Sequence, residues 1–148
     1  MNTHPYLRAY LAGAFLPTLV LPLLLTVFIV ARIVLKVPVP IEKGLIFPMA
    51  VVPSLFGLWN MLHLASHART HLSIGLHGAI LPVLMMPVGA LVGSCLGVLV
   101  LGTQGVTWFQ AWQVPYTLIA PCFVGALIGY YLVWKYIVGF INRVLGIA

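Results

Sequence analysis

The sequence predicts an all-α integral membrane protein with four transmembrane helices, and three observations carry that prediction. Hydrophobic residues fill 63% of the 148 positions and charged residues only 5%, with Glu42 the single acidic one. A soluble domain carries roughly 25% charged residues to dress its surface. This chain has too few, so its expected solvent is lipid. The apolar residues also fall in uncharged runs long enough to cross a bilayer, which takes about 20 residues as a helix. A continuous apolar run satisfies its backbone in lipid only as a helix.

The first uncharged run covers residues 9–31 and the second residues 44–62. No Asp, Glu, Lys or Arg occurs from Thr70 to Trp134, a stretch too long for one crossing. Gly102-Thr103-Gln104-Gly105, followed by Gln110 and Gln113, divides it into runs at 78–101 and 115–134. Four helices follow, with both termini on one side of the membrane. The first run is too long for a signal peptide and lacks a small-residue cleavage site, so it reads as a permanent span.

The chain repeats itself. Residues 6–22 and 71–87 align without a gap and share eight of 17 positions, among them Gly13-Ala14 with Gly78-Ala79, Pro17 with Pro82 and Pro22 with Pro87. Pro53-Ser54-Leu55-Phe56-Gly57 pairs less closely with Pro121-Cys122-Phe123-Val124-Gly125. The single membrane domain, 1–148, is therefore expected to hold two tandem helical hairpins, 6–70 and 71–148. An even number of helices per repeat makes the copies parallel, related by an axis along the membrane normal.

Proline and glycine punctuate these helices in register. A proline inside a helix removes a hydrogen bond and presses its ring against the carbonyl four residues earlier. Gly13 stands four residues before Pro17, Gly44 before Pro48, and Gly78 before Pro82. A glycine there lets the backbone bend away, so each pair is expected to form a kink. The freed carbonyls need partners, and Thr18, Ser54 and Asn60 are candidates for a polar lining.

Glycines also form ladders: Gly89, Gly93 and Gly97 in the third run, Gly125 and Gly129 in the fourth. Lipid tails are as apolar as leucine, so membrane helices associate through close packing, which small residues four apart permit. These five are expected to pack helices, within the chain or between copies. Cys95 and Cys122 fall at similar depth in antiparallel helices and read as small buried hydrophobes.

Histidines gather on one side of the membrane. His63, His67 and His71 are spaced by four, so a continuing helix would stack them, with His77 and His4 on the same side. Such a stripe can ligate a divalent metal or haem iron. It also suits an interfacial position beside Trp59 and Arg69, with a pH-sensitive or lipid-phosphate contact. No nearby Asp, Glu or Cys completes or orients a metal set, so the expectation is no cofactor, with haem or a divalent metal as the alternative.

The formal charge of +6 suggests lipid headgroups rather than nucleic acid, because the basic residues sit at the ends of apolar runs. The terminal side carries Arg8, Arg69, Lys135 and Arg143 and the other side Arg32, Lys36 and Lys43. By the positive-inside rule the termini are expected to be cytoplasmic, in a multi-pass protein of a plasma or inner membrane. The predicted spans hold no carboxylate, no Ser/His/Asp arrangement, no phosphate-cradling glycine loop and no Cys-x-x-Cys. An enzyme is not expected, nor is a proton-coupled transporter, which usually relies on an ionisable group inside the span. The expected role is a non-catalytic membrane subunit or scaffold that packs against copies of itself or a membrane partner. A small oligomeric pore, or a haem- or metal-holding anchor built on the histidine stripe, are the alternatives.

Overall fold

A computed structural model describes residues 4–36, 47–108 and 112–147 of the chain. Gly44, the loop at 37–43 and Phe109 lie outside the described residues, as does the Pro48 side chain. The chain is mostly helical: α1 (Pro5–Val34), α2 (Phe47–Thr70), α3 (Ile74–Cys95), then strands β1 (Leu99–Leu101), β2 (Gly105–Trp108) and β3 (Trp112–Pro115). Helix α4 (Tyr116–Leu132) continues through a π-helical turn (Val133–Val138) into α5 (Gly139–Val144). Four of these rods are long and apolar enough to cross a membrane: Pro5–Val34, Met49–Thr70, Ile74–Cys95 and Tyr116–Val144. Their outward faces are strongly apolar, with Leu23, Ile33 and Leu91 each about two-thirds exposed.

The third run does not extend to Leu101. Gly97 takes a left-handed conformation (φ 67°), the Val98 amide donates to the Gly93 carbonyl at 2.9 Å, and the Gly97 amide donates to the Ser94 carbonyl at 3.1 Å. These are the paired bonds of a Schellman stop, with glycine at the position a side chain tolerates least. Gly97 is thus a helix terminator rather than a rung of the ladder.

The chain past that stop forms an antiparallel three-stranded meander, where sequence periodicity indicates only a polar loop. Leu99 pairs with Trp108 and Leu101 with Val106; Gly105 then pairs with Pro115 and Trp108 with Trp112. The short strands draw on Val, Thr and Trp, which suit a pleated surface. Gly102 closes the first turn, its amide donating to the Gly105 carbonyl at 2.9 Å, and the Tyr116 hydroxyl donates to the Gly102 carbonyl at 2.7 Å. A side chain at Gly105 would run into the Val114 carbonyl on β3.

Helix α1 lies along α2 through small residues. Ala9, Ala12 and Gly13 are buried, and a Cβ on Gly13 would collide with the Phe56 carbonyl and stand 2.9 Å from Asn60 Cβ. Gly57 answers from α2, where a Cβ would meet the Tyr10 ring at 2.5 Å. Helix α3 meets the last rod in the same manner. Gly75 receives the Tyr131 ring, and Gly78 receives Trp134, which is completely buried. Phe56, Leu81, Trp134 and Val138 form the core, flanked by Trp59, Ile74 and Tyr130.

The π-helical turn has a packing reason. Trp134, Val138 and Asn142 are all buried, at spacings of four. An α-helix turns every 3.6 residues, so a strict four-residue stripe drifts around its face. The wider π turn slows that drift; the Gly139 amide reaches back five residues to the Trp134 carbonyl.

Candidate functional site

The polar residues of the bundle gather at the end that carries both described chain termini. Arg8 of α1 donates from Nη1 to the Leu145 carbonyl at 2.7 Å, just past α5, which ties the first rod to the last. Ser73 caps α3, its hydroxyl accepting from the Leu76 amide. That cap starts α3 at Ile74, one turn ahead of the uncharged run at 78–101, and brings His77 into the helix.

Two carboxamides meet inside the bundle. Asn60, 1% exposed, donates from Nδ2 to the Ala9 carbonyl and to Asn142 Oδ1, both at 2.8 Å. Asn142, 4% exposed, returns a bond from Nδ2 to Asn60 Oδ1 at 3.2 Å. The pair links α1, α2 and α5 at one point. Burying an amide is costly unless its groups are paired, and here each satisfies the other. Sequence reasoning singles out Asn60 and misses Asn142, because the fourth run seems to end at Trp134 whereas the rod continues to Val144.

A second clasp joins α2 to α3. Trp59 Nε1 donates to the His77 carbonyl at 2.9 Å, and His77 Nε2 donates to the Trp59 carbonyl at 3.0 Å. Their rings stack with centroids 4.6 Å apart.

The histidine stripe is rearranged. Helix α2 ends at Thr70, and His71 stands beyond it, exposed, in a left-handed conformation (φ 49°). His71 therefore does not stack with His63 and His67, because the helix that would align them has stopped. His63 instead lies between His67 and His77, with ring centroids 5.1 and 4.9 Å away. His67 Nδ1 lies 3.2 Å from the Leu72 carbonyl. Among the described residues, no group of three or more His, Cys, Asp and Glu is placed to hold a metal ion.

Beside the histidines lies a cavity of about 250 Å³, lined by Asn60, His63, His67, Lys135, Asn142 and Arg143 together with Leu64, Ile74, Gly139 and Ile147. His63, one of the lining residues, has a buried Nδ1 without a hydrogen-bond partner. A larger cleft of about 800 Å³ opens between α2, α3 and the meander, with an apolar lining that includes Val52, Leu55, Met85, Gly89 and Trp108.

The remaining sequence candidates divide by location. Thr18 is exposed and its hydroxyl donates to the Ala14 carbonyl of its own helix at 2.7 Å. Ser54 is exposed and accepts from the Tyr10 hydroxyl at 3.3 Å. Neither shares the buried position of Asn60. Helix α1 runs on through Pro17 and Pro22, and α3 through Pro82 and Pro87. Gly13 and Gly78, four residues ahead of a proline, double as the notches that receive a neighbouring helix.

The ladder glycines behave differently from those notches. Gly93 faces Leu99 of β1, while a Cβ on Gly89, Gly125 or Gly129 would meet nothing within 4 Å. Gly57 and Gly125, matched by the repeat, thus occupy different surroundings. Cys95 and Cys122 are free thiols and both exposed, not buried as their apolar context suggests. Comparison with protein-family models, curated proteins and solved structures finds no match for this chain.

Proposed function

We propose that the chain is a multi-pass integral membrane scaffold that assembles with a second copy of itself through the outer face of α4. The observation that carries this reading is that no residue of α4, Tyr116–Leu132, is buried within the chain. On that helix Cys122, Gly125 and Gly129 fall close to one line by the 3.6-residue period, and all three are open. Small residues at this spacing allow two membrane helices to approach closely. A two-fold axis along the membrane normal would bring the same face of each copy together, the commonest symmetry for a self-associating protein.

The membrane assignment is supported by the four apolar rods and their exposed aliphatic faces. Paired as α1 with α2 and α3 with α4, the rods fit two successive hairpins, with the polar end facing the cytoplasm. A scaffold suits the polar inventory better than a pore. The carboxamides that would line a water path are spent on each other and on the Ala9 carbonyl, and Thr18 is spent on its own helix.

Self-association tests the proposal. Labelled copies in lipid vesicles should show energy transfer that rises with protein density and falls strongly in Gly125→Leu and Gly129→Leu, without loss of monomer stability. Unchanged transfer in both variants would rule out the α4 face. Solute flux through vesicles holding the native protein would favour the pore.

A further inference from the structure

The basic cavity at the terminal end has a composition that fits one class of ligand. Its polar lining consists of two cations, Lys135 and Arg143, two histidines, His63 and His67, and two carboxamides, Asn60 and Asn142. Among the described residues, no carboxylate side chain lines it. Glu42 is the one acidic side chain in the sequence.

The arrangement is directional. Asn60 and Asn142 are locked by their mutual bonds and form a rigid, neutral floor. Lys135 and Arg143 are exposed and stand two turns apart on the last rod, so they contribute charge at the rim. Every described titratable side chain that lines the cavity, His63 and His67 included, is basic. His63 lines the cavity, and an imidazole N–H turned into it would donate to a ligand oxygen. A metal cation is disfavoured by the two flanking positive charges.

Size narrows the class further. At about 250 Å³ the cavity falls just below the roughly 300–1,000 Å³ typical of sites for drug-sized ligands. A small tetrahedral anion or an anionic headgroup is the appropriate scale. Arginine pairs with phosphate oxygens through its planar fork, and lysine binds phosphate as a point charge. Basic pockets between membrane helices on the cytoplasmic side are a recurrent way of holding anionic lipid headgroups.

We infer that this cavity is a phosphate-binding site, with Arg143 and Lys135 pairing the anion at the rim and His63 hydrogen-bonding it from within. The phosphate arrives on an anionic phospholipid or as the free ion, and both use the same contacts.

The test uses the full chain in nanodiscs of neutral phosphatidylcholine. Phosphatidylglycerol is titrated and bound lipid counted by native mass spectrometry, and inorganic phosphate is titrated in parallel by equilibrium dialysis. Variants are Arg143→Gln, Lys135→Gln and His63→Phe, with Arg69→Gln as an exposed cation at the same end but outside the cavity. Saturable phosphatidylglycerol binding that weakens roughly tenfold or more in Arg143→Gln or Lys135→Gln, but not in Arg69→Gln, supports a lipid site. The same pattern with inorganic phosphate supports a soluble-anion site. Loss of equal size in Arg69→Gln would mean general surface attraction and overturn the site. So would binding of neither probe, or binding unaffected by both rim variants. The rim residues are exposed, so these two variants are expected to fold, and His63→Phe separates the inner contact from rim charge.

Discussion

Gly78→Ala should destabilise the protein, whereas Gly125→Ala should not, although both glycines lie inside long helices. A Cβ on Gly78 lands on the Trp134 side chain at its root, against Cβ and Cγ. Trp134 has no exposed surface and is enclosed by Phe56, Leu81 and Val138, so it has nowhere to swing. Overpacking of a filled core costs about 1–3 kcal/mol. Alanine also gains about 0.8–1 kcal/mol of helix propensity over glycine, but that gain is common to both sites and cancels in the comparison. The difference between the two variants is therefore the steric cost alone, about 1–3 kcal/mol. Reversible unfolding in mixed micelles, followed by tryptophan fluorescence on the monomer, reads it directly. Trp134→Phe placed on the Gly78→Ala background should recover part of the loss. Equal stability of Gly78→Ala and Gly125→Ala would refute the claim that Gly78 is a helix notch and Gly125 an open surface.

Two other outcomes follow from the same geometry. Asn60→Leu and Asn142→Leu should each cost about 1–3 kcal/mol by stranding a buried amide partner. The double variant should cost less than their sum, which a double-mutant cycle measures. In a chain with Cys95 and Cys122 replaced by alanine, cysteines at Arg69 and Arg143 should label from one side of intact vesicles and a cysteine at Thr103 from the other. A split between Arg69 and Arg143 would remove the four-span arrangement.

Much of the fold was legible because helices long and apolar enough to cross a membrane announce themselves by length and by lack of charge. Four apolar rods were expected and four are present. Their ends were harder to place, since a bilayer-length run carries no periodic signal of where a helix stops. Gly97 shows the difficulty: its spacing from Gly89 and Gly93 matches a packing ladder, yet the backbone uses it as a left-handed stop. The meander after it is written in short stretches of Leu, Val, Thr and Trp that hydropathy alone merges with the neighbouring spans.

The site was less legible. Asn60 stood out as a carboxamide in an apolar run, but its partner Asn142 lies 82 positions away, beyond the fourth run's apparent end. The His63, His67, His71 spacing assumed a helix that stops at Thr70. His77, which does pack against His63, belongs to a different helix. Cavity-forming Lys135 and Arg143 appear in sequence only as topology charges. Long-range contacts of this kind are set by how the rods dock, and the docking is governed by Gly13, Gly57, Gly75 and Gly78 rather than by the more conspicuous ladder.

The native thiol of Cys122 offers the most direct test of assembly. It is exposed and lies within about 20° of Gly129 around α4 by the 100°-per-residue helical period. In a Cys95→Ala chain oxidised in its native membrane, a two-fold contact through this face should link Cys122 to Cys122 of a second copy and give a dimer band at low protein density. Ile33→Cys in a chain lacking both native cysteines presents another exposed position, on α1, and should remain monomeric. A Cys122 chain that stays monomeric, or that cross-links no more than the Ile33→Cys control, would contradict assembly through α4.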